Sequence, residues 1–211
     1  MKNTINSQIT EDDIQKYIRC MEEIKLRDQV IEDHLTGKRS TGQRMTDIEL
    51  VCLQFRKIGE LIVLSTLCAL KEEYRKVCKN IEKQWEAAKI RKTLDKIHSA
   101  FYPVPFERVF DPTTGVQKND RLTDGFLSKD ECISLIGRCG KILHGFNPYD
   151  DKRVFGEIQK IEALFPEWQN RIRRLLKMHE IRLLGTSLQL WVYMARGPKH
   201  QILVEERVPT T

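Results

Sequence analysis

The sequence contains few residues that interrupt regular structure, with 11 glycines and 7 prolines among 211 residues. This content excludes collagen-like and low-complexity architectures. Long apolar runs are also missing, because the longest spans only 58–70 and includes Glu60. A membrane-spanning helix needs about 20 apolar residues, and the opening residues, MKNTINSQITEDD, lack the apolar segment of a signal peptide. We therefore expect a soluble, cytoplasmic protein with no membrane partner.

The six cysteines are not spaced as a metal site or a redox pair. None forms a C-x-x-C pair, and none lies near a histidine at zinc-finger spacing. Several lie in apolar or helical segments, where reduced and buried cysteines are common. This pattern favours reduced cysteines over a disulfide framework. They are Cys20, Cys52, Cys68, Cys78, Cys132 and Cys139.

Motifs of the common enzyme classes are absent as well. The chain has no Walker-type loop, no G-x-G-x-x-G, no H-E-x-x-H, no G-x-S-x-G and no EF-hand loop. We therefore expect no metal and no cofactor. The charge balance of 36 Lys and Arg against 30 Asp and Glu gives a net charge of +6. Such a surplus favours a polyanionic partner without identifying one.

What the sequence does contain is helical periodicity. Thr10, followed by three acidic residues, predicts the start of a first helix that ends near Thr36. A second helix is predicted from Thr46 to about Asn80. It is apolar nearly all round over 61–70, so we expect it to be buried as the central element.

The remaining segments predict further helices and one hairpin. Helices are expected at about 81–99, 128–144, 151–164 and 166–178. The stretch 101–127 is expected to be irregular, with a turn at 111–115 that short strands could flank. Two strands at 187–195 and 201–208 predict a C-terminal hairpin. The expected organisation is one domain over 1–211, with a helical core at 46–178 and a hairpin appendage at 182–208.

One segment near the end of the helix at 128–144 suggests chemistry. Residues 137–145 read GRCGKILHG and are followed by the sequence FNPY. An arginine and a histidine separated by four to six residues at a helix end resemble the HEPN superfamily. The segment 53–62, LQFRKIGELI, resembles the long central helix of one branch of that family. The resemblance covers about 46–178 and implies a mostly α, HEPN-like helical bundle with a long central helix. The small C-terminal β-hairpin is not explained by it.

The resemblance also implies a function. HEPN-like proteins usually dimerise, so two chains would contribute symmetric Arg138 and His144 side chains to one groove, beside a face formed by Leu135 and Ile142. His144 would exchange a proton with an RNA 2′-hydroxyl or the 5′-leaving oxygen. Arg138 would stabilise the phosphorane-like transition state. This describes a metal-independent endoribonuclease that leaves 2′,3′-cyclic phosphate ends, of a kind found in toxin or antiviral defence systems. Its expected partners are a second copy of the chain, RNA and a protein regulator.

Several observations keep other interpretations open. The arginine–histidine spacing recurs by chance, and Arg173 or Arg174 with His179 is the nearest competitor. A lone histidine on an apolar helix face, as His144 is by helical periodicity, is also common as a buried core residue. Active members of the family commonly have a polar residue after the arginine, where this chain has Cys139.

These departures favour an alternative function: a non-catalytic, dimeric HEPN-like module that binds a nucleotide, RNA or a protein partner. A third hypothesis is an unrelated helical adaptor whose apolar second helix binds a partner helix.

Three further residues are candidate supports of the site. Arg56 and Glu60 lie one turn apart on the second helix and predict an ion pair. The same two side chains could instead orient His144 or Arg138. Asn147 is predicted to cap the fourth helix or to contact substrate.

Overall fold

The protein is mostly helical and carries one small antiparallel sheet in a computed structural model. The structure describes residues 9–70, 74, 87–97, 101–145, 155–182, 188–194 and 201–206. Within these residues it contains six helices, in chain order α1 Glu11–Leu35, α2 Arg44–Ala69, α3 Ala87–Ile97, α4 Lys129–Leu143, α5 Phe155–Glu162 and α6 Phe165–Leu176.

Two helices begin at the capping residues that the sequence predicts, and each start is a capping box. The Thr10 hydroxyl accepts a hydrogen bond from the Asp13 amide, and the Asp13 carboxylate accepts one from the Thr10 amide. Ser128 and Glu131 make the same reciprocal pair at the start of α4. Each box satisfies amides that have no partner within the helix, so both starts are confirmed.

Helix α2 is the central element, as predicted. It packs against both α1 and α4, and Val51, Phe55 and Ile58 are fully buried. The prediction of one uninterrupted helix to about Asn80 is wrong, because Leu70 ends α2 with non-helical dihedral angles. Leu61 and Leu64 are only partly buried, so the apolar run is not surrounded on every side.

The sheet has five antiparallel strands in the order β2-β1-β3-β4-β5. The strands are β1 Val104–Asp111, β2 Val116–Arg121, β3 Met178–Arg182, β4 Leu188–Tyr193 and β5 Gln201–Glu206. β1 and β2 form a hairpin across the predicted turn, so the segment expected to be irregular is instead ordered by ladder hydrogen bonds.

The predicted C-terminal hairpin forms, but it does not stand apart from the rest of the sheet. β4 pairs with β5 as expected and also with β3, where Glu180 lies opposite Trp191. Helix α6 ends at Leu176 rather than Met178, and β3 follows almost at once. The hairpin therefore extends a larger sheet through a strand that the sequence pattern did not predict.

Helices in the described part of the chain are too short or too polar to cross a membrane. The core instead joins the apolar faces of α1, α2, α4 and α6 to one face of the sheet.

Candidate functional site

Close contact with α2 determines how α4 lies on the helical core. A Cβ atom added at Gly59 would lie 2.7 Å from Cγ1 of Ile136. The Cys132 thiol lies 3.6 Å from the Gly59 carbonyl oxygen. The two backbones approach this closely because Gly59 has no side chain. The side chains of α4 that do not face α2 are thereby directed towards α3, α6 or solvent.

Arg138 lies on the side of α4 that faces α6. Its guanidinium carbon is 5.3 Å from the ring centroid of Trp168, within the range of a cation–π contact. The two residues line a groove of about 200 Å³ between the helices. Among the described residues no carboxylate forms an ion pair with Arg138. Its positive charge therefore remains open to an anionic ligand.

A second arginine in the same groove, Arg171, pairs with the two carboxylates there. Arg171 lies 2.7 Å from the Glu131 carboxylate and 3.4 Å from that of Glu167. It also donates to the Phe126 carbonyl oxygen at 3.1 Å. Burial would raise the pKa of Glu131, but hydrogen bonds from Ser128 and the charge of Arg171 outweigh it and lower that pKa. Arg171 is therefore engaged with carboxylates, whereas Arg138 is the arginine of this groove without one within ion-pair distance among the described residues.

His144 lies at the end of α4 and outside this groove. Its backbone amide donates to the Gly140 carbonyl oxygen at 3.2 Å, and its side chain is exposed. The interpretation of His144 as a buried core histidine is therefore wrong. His144 follows Arg138 by six positions, which places it about 9 Å further along the axis and about 120° around it. The groove that Arg138 lines does not include His144.

The dimer face predicted beside Arg138 is also wrong. Leu135 and Ile142 are only 1% and 8% exposed and belong to the core of the same chain. They are covered because helix periodicity indicates which face is apolar but not what packs against it. A second copy cannot use them without opening the domain.

Arg56 and Glu60 form the predicted ion pair, with Nε and Oε1 2.9 Å apart. Arg56 also reaches α4, because Nη1 lies 3.6 Å from the position that a Cβ on Gly140 would occupy. Gly140 is one helical turn before His144. Arg56 therefore lies on the side of α4 that leads to the exposed histidine.

Cys139, the residue after Arg138, is a fully buried thiol. A hydrogen bond with Cys52 and burial raise the pKa of Cys139, while the charges of Arg138 and Arg56 lower it. The net direction is upward, so the thiol stays protonated. Both guanidinium groups are nevertheless close enough for their charges to act on Cys139, which places them around one segment of α4.

The competing arginine–histidine set is structural. His179 is fully buried, with Nε2 2.6 Å from the Tyr17 hydroxyl and Nδ1 3.0 Å from the Leu176 carbonyl oxygen. Arg173 binds the carboxylates of Asp28 and Glu32, each at 2.8 Å. This set therefore offers no accessible pair. Asn147, the remaining candidate, lies outside the described residues.

Sequence reasoning missed Trp168 and Arg171 as parts of the site. Trp168 belongs to the apolar face of α6 and carries only the periodic signal of a core residue. Arg171 lies close to Arg173 and Arg174 in the sequence, and no local pattern distinguishes it from them. Their contacts with α4 join residues about 30 to 40 positions apart in the sequence. A pattern within a few residues cannot predict contacts between such distant segments.

Comparison with known proteins identifies no relative: no protein-family model, no curated protein and no solved structure matches the chain. Within the described residues no group of three His, Cys, Asp or Glu side chains could hold a metal ion.

Proposed function

We propose that the protein is a HEPN-like helical module that binds RNA at the C-terminal half of α4. The observation that supports this most directly is the Arg138 guanidinium, held over Trp168 with no carboxylate partner among the described residues. A guanidinium oriented in this way matches the two oxygens of a phosphate. Arg56 is paired with Glu60 and contacts another side of α4, so the proposal rests on Arg138.

The size of the groove favours a polymer over a free nucleotide. Sites for whole small molecules usually enclose about 300–1,000 Å³, whereas the groove beside Arg138 encloses about 200 Å³. That volume suits one phosphate and part of its sugar. An RNA strand can place one such unit in the groove and leave its other units on the surface.

RNA binding is tested with a single-stranded oligonucleotide and fluorescence anisotropy at several salt concentrations. Arg138→Ala is expected to weaken binding about tenfold and to reduce the slope of log Kd against log salt by about 0.7, the value for one phosphate contact on a single strand. Arg19→Ala is the matched control, because it removes an exposed arginine from α1. If both variants lost the same RNA affinity, the loss would be explained by the change in net charge alone. That result would contradict a binding site on α4.

A second candidate function is the metal-independent endoribonuclease. The exposed position of His144 at the end of α4 favours it. His144 of one chain would accept the 2′-hydroxyl proton as the 2′-oxygen attacks the phosphorus. A protonated His144 of the second chain would donate a proton to the leaving 5′-oxygen as the P–O5′ bond breaks. Arg138 would stabilise the added negative charge. A homodimer and a role in a toxin or antiviral system belong to this candidate.

Cleavage in the presence of EDTA separates the two functions. An active enzyme is expected to cut RNA to 2′,3′-cyclic phosphate ends and to spare a DNA strand of the same sequence, which lacks the attacking hydroxyl. His144→Ala and Arg138→Ala would each abolish cutting while the far-ultraviolet circular dichroism stays native. RNA binding without cleavage by the unaltered protein would leave the binding module as the function.

A further inference from the structure

Strand β2 is an open edge of the sheet. It pairs with β1 alone among the described strands, and all six of its side chains are exposed. The Leu122 amide donates to the Pro105 carbonyl oxygen. Because backbone groups alternate in direction along an antiparallel pair, those of Gln117, Asn119 and Arg121 point away from β1. A row of such groups is a template for another strand.

The hairpin formed by β1 and β2 also exposes apolar side chains. Phe110 is 60% exposed, Val116 55% and Val109 38%. Its charges balance, with three basic and three acidic residues over 104–122: Arg108, Lys118, Arg121, Glu107, Asp111 and Asp120. A neutral, partly apolar ribbon does not match a polyanion. It matches a protein strand.

We propose that β2 pairs with β2 of a second copy of this chain, antiparallel and about a two-fold axis at Asn119. In this register Lys118 of each copy lies opposite Asp120 of the other. Two ion pairs therefore form between the copies, one on each side of the axis. Val116 lies opposite Leu122 at both ends, which pairs apolar side chains there.

The charges of β2 select this register over its neighbours. A two-fold axis normal to the sheet must pass through a residue position, because facing side chains must lie on the same face. Centring the pair on Lys118 would oppose two lysines, and centring it on Asp120 would oppose two aspartates. Like charges directly opposite each other destabilise a strand pair. The register centred on Asn119 opposes unlike charges instead.

The existing contacts of Lys118 are compatible with the pairing. Its ammonium group lies 2.6 Å from the Asp111 carboxylate within the same hairpin. An ammonium group has three donors, so it can bind Asp111 and Asp120 of the second copy together. The pairing does not depend on RNA binding at α4.

Sedimentation velocity at about 100 μM tests the pairing, a concentration that populates a dimer of micromolar affinity. The unaltered chain is expected to sediment as a dimer. Lys118→Asp and Asp120→Lys are each expected to weaken self-association about tenfold, because each turns two attractive pairs into repulsive ones. Asp124→Lys is the control for Asp120→Lys, since it makes the same charge change at an exposed residue outside β2.

Mixing the two variants makes the test specific to the register. The Lys118→Asp chain is acidic at both facing positions, and the Asp120→Lys chain is basic at both. Each acidic position of one chain then lies opposite a basic position of the other, so the mixture is expected to form heterodimers. The double variant Lys118→Asp/Asp120→Lys restores unlike pairs and is expected to regain the dimer.

A proline substitution tests the backbone pairing itself. Asn119→Pro removes an outward amide at the axis without removing one of the hairpin's own hydrogen bonds, and is expected to be monomeric.

Two results would overturn the proposal. One is a monomeric unaltered chain at this concentration. The other is a dimer that Asn119→Pro and both charge reversals leave unchanged, since such a dimer uses a different surface.

Discussion

Two phenylalanines show how differently the helical core and the β1–β2 hairpin are built. Phe55 on α2 is fully buried, with its ring centroid 5.5 Å from those of both Phe165 and Trp168. Phe110 on β1 is 60% exposed. The same residue type thus stabilises the fold by its burial in one region, whereas in the other its side chain is exposed to solvent and can contact a partner.

The difference lies in what holds each region together. Around α2, removal of apolar surface from water supplies most of the stability. Along β1 and β2, six register pairs of backbone hold the hairpin, and its outer side chains bury little. Changes in the core should therefore alter folding, whereas changes in the hairpin should alter association.

The largest contrast is expected between alanine substitutions of these two residues. Phe55→Ala should lower the free energy of unfolding by about 3–5 kcal/mol, because it removes a buried ring and leaves a cavity. Phe110→Ala should change it by less than about 0.5 kcal/mol, as at other exposed positions. Urea denaturation followed by circular dichroism measures both values. Similar losses in the two variants would mean that the hairpin packs on the domain.

Alanine substitutions at two helical glycines are expected to have smaller effects on the free energy of unfolding, in opposite directions. Gly137→Ala meets no atom within 4 Å and should stabilise the protein by about 0.5–1 kcal/mol through better helix propensity. Gly59→Ala has the same propensity gain, but its methyl group would lie 2.7 Å from Ile136. Overpacking costs about 1–3 kcal/mol, so stability should fall by about 1 kcal/mol.

Thermal unfolding of the two glycine variants side by side provides the measurement. A gain in stability for Gly59→Ala would show that α2 and α4 can separate freely.

The smallest effect is expected from a carboxylate in the hairpin turn. A hydrogen bond from Lys118, together with the Thr113 amide, lowers the pKa of Asp111 to about 2. A depressed pKa in the folded state means that the contact stabilises the turn above the ordinary carboxyl pKa. That contribution is lost as the pH falls through about 2.

NMR titration of the Asp111 carboxyl carbon measures this pKa directly. Lys118→Met is expected to raise it towards the ordinary value of 3.8. A midpoint near that ordinary value in the unaltered protein would contradict the ion pair.

The sequence could predict those parts of the fold that depend on local signals. The capping residues Thr10 and Ser128 each satisfy amides within one turn, so a short pattern is sufficient to locate the two helix starts. β3 was missed because MHEIR follows the amphipathic pattern of α6 without a glycine or proline between them. The β1–β2 strands were weakly predicted because neither face of that hairpin is apolar enough to show a period of two.

The candidate site was predicted in part for the same reason. Arg138 and the Arg56–Glu60 ion pair lie on helices whose periodicity is clear. The neighbours that orient Arg138 could not be predicted, because Trp168 and Arg171 come from another helix. The side chain of His144 was assigned to an apolar sector by periodicity, yet the helix ends there and leaves it exposed.

By itself the sequence determined where the helix starts lie, that α2 is central and that α4 carries two basic candidates near its end. These follow from hydrogen bonds and apolar periods that act over a few residues. Only the tertiary structure decided that Leu135 and Ile142 are covered, that Arg138 rests on Trp168 and that β2 is left as an edge. Those outcomes depend on which distant surfaces pack together, because burial is a property of the assembled chain and not of any one segment.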